Sequence, residues 1–141
     1  MASFNKHNQF VEDLAEKVHN LGSDTLKNLL TNTAPTAANA VKADLTELGA
    51  GNGYSAGGTQ ASQSSSAQTS GTYKLVVADV VFTASGGNVG PFRYTDFYND
   101  TPSSPADPLI GWYDYGSSIT LATGETFTID YDATNGVLTI A

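Results

Sequence analysis

Alternation of apolar and polar residues through the last third of the chain, Leu109 to Ala141, constrains the fold most. In the stretch from Glu125 to Tyr131, an extended backbone puts Phe127, Ile129 and Tyr131 on one side. Thr126, Thr128 and Asp130 fall on the other. A period of two is that of a strand with one buried face and one wet face. Thr123-Gly124 precedes this stretch and Asn135-Gly136 follows it. Asn-Gly is the strongest short hairpin cue, because both residues tolerate positive φ. The pattern predicts successive strands of an antiparallel sheet over 109–115, 117–122, 125–132 and 137–140.

Upstream, Tyr73 to Thr83 reads as strand, with a change of phase at Ala78-Asp79 that marks a bulge or tight turn. Phe92 to Tyr98 is a further strand. Residues 99–108 hold three prolines and form an exposed loop. Asp24 to Asn32 fits a strand better than a helical turn, since Gly22-Ser23 and Thr31-Asn32-Thr33 bracket it. Counted from residue 25, seven or eight short strands recur with turn signals about every ten residues, the spacing of an antiparallel sandwich or barrel. The fold class expected is mainly β, an antiparallel β-sandwich or jelly-roll-like fold.

One N-terminal α-helix is expected over 3–21. Ser3 can cap it, and Phe10 or Val11, Leu14, Val18 and Leu21 form one apolar stripe. Gly22 ends it, and Glu12, Asp13, Glu16 and Lys17 take the wet side. Residues 33–44 are loop with one helical turn near 37–40. Glycine, serine, glutamine and threonine dominate residues 49–72, where Tyr54 is the only large side chain. That stretch is either a flexible linker or a short edge strand within a long excursion that orders against a partner. The whole, 1–141, has the length of one domain, with 73–141 as the main antiparallel sheet region.

Charge is unevenly placed. Residues 1–74 hold five lysines against six acids, whereas 75–141 hold Arg93 alone against eight acids. Such a field repels phosphates, so nucleic acid is not an expected partner. No run of 18 apolar residues is present to span a membrane. The opening MASFNKHNQFVEDLAEK places acids where a secretory signal needs an apolar run. Cysteine is absent, so disulfides and thiolate chemistry are unavailable, in keeping with a reducing cytoplasm.

Catalytic patterns are thin. His7 and His19 stand twelve residues apart on the expected helix, about 18 Å, too far to share a metal ion. They read as surface polar residues. Asp130, Asp132 and Asn135 resemble the start of a calcium loop, but the glycine and terminal glutamate are out of place, and turn chemistry is the simpler reading. Asp114 and Glu125 are a conceivable carboxylate pair for glycoside hydrolysis, but no aromatic-lined cleft is inferable. No cofactor or metal site is expected, and the chain does not read as an enzyme.

Aromatic residues crowd the sheet region on both faces. Strict alternation sends Phe92, Tyr94 and Tyr98 one way and Phe97 the other, and sets Trp112 against Tyr113 and Tyr115. One face is then core and part of the other is contact surface or is covered by the helix. The candidate protein-contact residues are Tyr54, Phe97, Trp112, Tyr113 and Tyr115.

Three stretches carry a family resemblance: SFNKHNQFVEDLAEKVHNLGSDTLKNLLTNTAPTAANAV, SSAQTSGTYKLVVADVVFTASGG, and the segment from FRYTDFYNDTP through LIGWYDYGSSITL to GETFTIDYD. Over nearly its whole length the chain resembles small virion structural proteins of tailed bacteriophages. The resemblance implies a virion component without catalytic activity. A capsid decoration (cement) protein on the outer capsid surface is the first expectation, and a tail, fibre or receptor-binding subunit is the alternative. Assembly would take place in the cytoplasm of the bacterial host. The implied partners are the major capsid protein or other virion proteins. Closed symmetry adds a homo-oligomer, dimer or trimer.

Overall fold

Stretches that alternate in sequence become the longest strands. A computed structural model describes residues 2–141. In chain order its strands are β1 (Asn5–Lys6), β2 (Leu26–Thr31), β3 (Thr59–Gln60), β4 (Gln63–Thr69), β5 (Thr72–Val77) and β6 (Val80–Thr83). They continue with β7 (Val89–Asn99), β8 (Leu109–Leu121), β9 (Thr126–Ile129) and β10 (Leu138–Ile140). The helix α1 spans Gln9–Ala15, and Lys42–Asp44 make one turn of 3-10 helix.

The fold is mainly β and sandwich-like, with antiparallel pairing throughout. One layer is a five-stranded sheet in the order β1-β8-β7-β2-β3. Opposite it lie β10-β5-β4 and the pair β6-β9. These two small sheets are parts of one interrupted ribbon. β5 and β6 are separated only by Ala78-Asp79, and their partners β10 and β9 run back alongside them. At the interruption, the Tyr131 N–H donates to Asp79 Oδ1 at 2.9 Å. The phase change read at Ala78-Asp79 is therefore the break that divides this ribbon into two short sheets.

Leu26 and Leu30 of β2, Phe92 and Phe97 of β7, and Ile110 of β8 meet Leu75, Val77, Val80, Phe82, Ile129 and Tyr131 in the main core. Each such side chain contributes about 1.5–3 kcal/mol on burial. On the back of the large sheet, Leu29, Tyr98 and Leu109 form a second cluster under Leu45. Polar side chains buried in the main core are paired in series. The Tyr131 hydroxyl donates to Asn28 Oδ1 at 2.8 Å, and Asn28 Nδ2 donates to Thr95 Oγ1 at 3.3 Å. Thr95 in turn donates to the Leu29 carbonyl at 2.9 Å.

Several expectations require correction. The helix is seven residues long, not 3–21. Residues 5–6 are drawn into the large sheet beside Trp112 and Gly111, so Asn8 rather than Ser3 precedes the helix. Lys17, at φ 70, ends it before Gly22 is reached. There the Val18 N–H returns to the Asp13 carbonyl at 2.8 Å, the bond of a Schellman end. Phe10 takes the buried stripe and Val11 is exposed, while Asp13, read as wet, is buried.

Strands expected over 109–115 and 117–122 are one strand, β8. Gly116 at φ 97 bends it without ending it. Nor do the turns after β8 and β9 make hairpins: β9 pairs with β6, and β10 pairs with β5. The stretch 49–72 supplies β3 and β4, edge strands laid against β2 and β5 of the same chain. The helical turn expected near 37–40 falls at 42–44.

Candidate functional site

Where β9 ends and the chain loops out toward β10, Tyr113 and Tyr115 near the middle of β8 border open space. A cleft of about 360 Å³ opens there. Phe4, Tyr113, Tyr115, Phe127 and Tyr131 line it with aromatic residues, and Arg93, Asp130 and Asp132 are the charged residues on its lining. Phe4 reaches it because Gly111 has no side chain. A Cβ there would meet the Phe4 ring, and it would lie 2.6 Å from the Asn5 carbonyl oxygen.

The rings brace one another edge to face. Tyr115 and Phe127 are 5.5 Å apart at 81° and Tyr113 and Tyr131 are 6.0 Å apart at 67°, while Phe4 lies tilted at 55°, 5.3 Å from Tyr113. Such pairs add about 0.5–1.5 kcal/mol beyond burial and hold their ring planes. Arg93 is bound bidentately by Asp114, at 2.8 Å from Nε and 2.9 Å from Nη2, so its charge is matched. That guanidinium, with the Gly116 N–H, holds the Asp114 carboxyl below its ordinary pKa. Tyr113 is pushed up to about 12 by burial alone. Among the described residues no hydrogen bond engages the hydroxyls of Tyr113, Tyr115 and Thr128 or the carboxylate of Asp130.

The structure brings two of the candidate contact residues, Tyr113 and Tyr115, into this cleft. Trp112 points to the opposite face, half-buried against the His7 ring at 4.6 Å. Tyr54 and Phe97 are corrected outright, for both lie inside the chain's own core and present no contact surface. The Tyr54 hydroxyl accepts from the Leu30 N–H at 3.1 Å and donates to Glu47 Oε1 at 2.8 Å. Its pKa is raised, chiefly by burial. Phe97 is fully buried, 6.1 Å from the Tyr131 ring. Irregular pairing between Phe92 and Tyr94 breaks the alternation of β7, so Phe92 and Phe97 share the main core.

Both histidines, read as surface residues, are buried. His7 lies against Asp96 and the Thr36 carbonyl, and His19 against Asn99. Asp132 is a turn residue: Oδ1 accepts the N–H groups of Thr134 and Asn135, and Oδ2 accepts Asn135 Nδ2. Asp114 and Glu125 are each engaged elsewhere, Glu125 by the Ala122 N–H at 2.8 Å. The aromatic cleft itself was missed, because it is assembled from residue 4, β8 and β9. Only the alternation that set Tyr113 and Tyr115 apart from Trp112 pointed toward it.

Comparison of the chain with protein-family models, with curated proteins and with solved structures returns no match.

Proposed function

We propose that the chain is a virion structural protein of a tailed bacteriophage, most plainly a capsid decoration subunit that bridges and stabilises major capsid subunits as a dimer or trimer. It acts by binding rather than by catalysis, on the outer surface of the capsid. The observation that carries this reading is the β4 edge. Six of the seven side chains of β4 are exposed, and only β5 pairs with it. An open edge offers a row of main-chain donors and acceptors to a neighbouring subunit. Its Ser, Gln and Thr side chains allow a close approach that lysines or prolines would block. The family resemblance and the acidic second half support the same reading.

The aromatic cleft favours a second reading, a tail or receptor-binding subunit. A density map of purified particles tests both. Decoration requires a copy number matching the capsid lattice, with β4 at a contact between subunits. A copy number set by tail symmetry selects the second reading, and absence from the particle removes both.

A further inference from the structure

We infer that the cleft between Phe4, β8 and β9 is a binding site for a neutral oligosaccharide. At about 360 Å³ it has the volume of a small-ligand site and is far roomier than a quaternary ammonium group needs. Its lining asks for a ligand with two kinds of surface. Aromatic faces of Tyr115, Phe127 and Phe4 suit the C–H face of a pyranose ring. The lining also includes Tyr113, Tyr115 and Asp130, and among the described residues no hydrogen bond engages the Tyr113 or Tyr115 hydroxyl or the Asp130 carboxylate. Hydroxyls give and accept and a carboxylate accepts, which is the combination that sugar hydroxyls satisfy.

Charge selects among polar ligands. Among the described residues that line the cleft, Arg93 is the one cation, and it is already matched by Asp114. The two aspartates on the lining, Asp130 and Asp132, disfavour an anionic sugar. The site is pre-formed, since edge-to-face pairing fixes the Tyr115, Phe127, Tyr113 and Tyr131 rings without a ligand. This inference goes beyond the proposed function and stands equally on a head or a tail subunit.

The test is an amide NMR titration of the full-length chain with cellotriose, maltotriose and chitotriose, and separately with tetramethylammonium chloride. At least one trisaccharide is expected to bind saturably with Kd of about 0.1–5 mM. It should shift amides within 113–115 and 127–132. Tyr115→Ala is expected to weaken that binding about tenfold and Asp130→Asn about threefold, each change being read directly from Kd. Tyr115 is 55% exposed, so its variant should fold. Should it not, the wild-type titration and Asp130→Asn carry the test. Absence of shifts with all three sugars at about 20 mM, four times the weakest expected Kd, overturns the inference. So do shifts outside the cleft, unchanged affinity in the variants, or binding of tetramethylammonium in place of every sugar.

Discussion

His7 Nε2 lies 2.8 Å from Asp96 Oδ2, and both side chains are fully excluded from solvent. His7 Nδ1 faces the Thr36 carbonyl at 3.1 Å, and a carbonyl only accepts, so Nδ1 carries a proton. One further proton is then held between Nε2 and Oδ2. Burial pushes the Asp96 carboxyl up, against the downward pull of the His7 bond. The pair ties the N-terminal segment and the Thr36 loop to the centre of the large sheet.

Removing one partner leaves the other buried and unpaired, which costs about 3–5 kcal/mol. Asp96→Ala is expected to lose that much in urea unfolding. Asp96→Asn keeps the shape and can donate to Nε2, so it should lose clearly less. Equal losses in the two variants would mean that shape, and not the shared proton, matters at this position.

His19 gives the fold a dependence on pH. Asn99 is oriented by the Thr101 N–H, which donates to its Oδ1 at 3.1 Å, and by Asp24 Oδ2, 2.7 Å from its Nδ2. The Asn99 amide thus donates to His19 Nδ1 at 3.2 Å, a bond that only an unprotonated Nδ1 accepts. Burial lowers the His19 pKa from its ordinary 6.5, and Asp13 and Asp24 oppose this without cancelling it. As pH falls below 6.5, the unfolded chain takes up a proton that the folded chain refuses. The stability present above that pH is therefore lost as pH falls toward the folded-state value. The slope from this group is at most about 1.4 kcal/mol per pH unit. His19→Gln is expected to flatten the stability profile between neutral pH and pH 5, relative to wild type. A profile unchanged by the substitution would show that His19 takes up its proton equally in both states.

Core and surface separate the aromatic residues that sequence pattern grouped together. Phe97 is fully buried, so Phe97→Ala is expected to cost about 3–5 kcal/mol. Tyr115→Ala, at an exposed ring, should stay within about 1 kcal/mol. Thermal unfolding of the two variants side by side checks the assignment. Comparable losses would contradict it.

How far the sequence is legible follows from where its signals are local. The buried face of Phe127, Ile129 and Tyr131, the strand over residues 26–31 and the break at Ala78-Asp79 are all written within a few residues. Side-chain alternation and turn chemistry suffice to find them. Partners are not written locally: β9 and β10 are joined by an Asn-Gly turn, yet β9 bonds to a strand 43–49 residues earlier and β10 to one 63–67 residues earlier. His7 looks like a surface helix residue until Asp96, 89 positions away, is brought to it. Phe97 falls on the core face because the irregular pairing of β7 between Phe92 and Tyr94 breaks the strict alternation that its sequence suggests. The cleft depends on all of these pairings at once.

Gly111 should be intolerant of any side chain, although its φ is ordinary. An added Cβ meets the Phe4 ring and the Asn5 carbonyl, which are the outer edge of the large sheet. Gly111→Ala is expected to cost about 1–3 kcal/mol by overpacking and to release β1. Hydrogen exchange should therefore rise at residues 5–7 before it rises in β7. Gly116 has open space around it but φ 97, so Gly116→Ala should strain only the local backbone, by about 1 kcal/mol. Unchanged exchange in β1 of Gly111→Ala would show that Phe4 yields instead.

If the chain decorates a capsid as proposed, charge should contribute little to its attachment there. Four of the six cations are spent within the chain: Lys27 on Asp100, Lys42 on Asp107, Arg93 on Asp114 and Lys74 on the Thr134 carbonyl. The exterior left over is acidic, with a formal net charge of −8. A basic partner surface would be attracted to it, but that attraction is screened beyond about 8 Å at physiological salt. Exposed ion pairs add only about 0–1 kcal/mol each. A buried ring removes roughly 150–250 Å² from water, which at about 25 cal/mol per Å² amounts to several kcal/mol before association costs. Main-chain bonds along β4 would add direction to that contact. Particles washed at increasing sodium chloride are therefore expected to retain the protein. Substitution of β4 by Ser65→Pro, which removes one main-chain donor and kinks the edge, should release it. A melting curve of the free variant separates lost attachment from lost folding. Release at moderate salt, with retention of a folded Ser65→Pro variant, would show that charge holds the subunit and that the β4 edge does not.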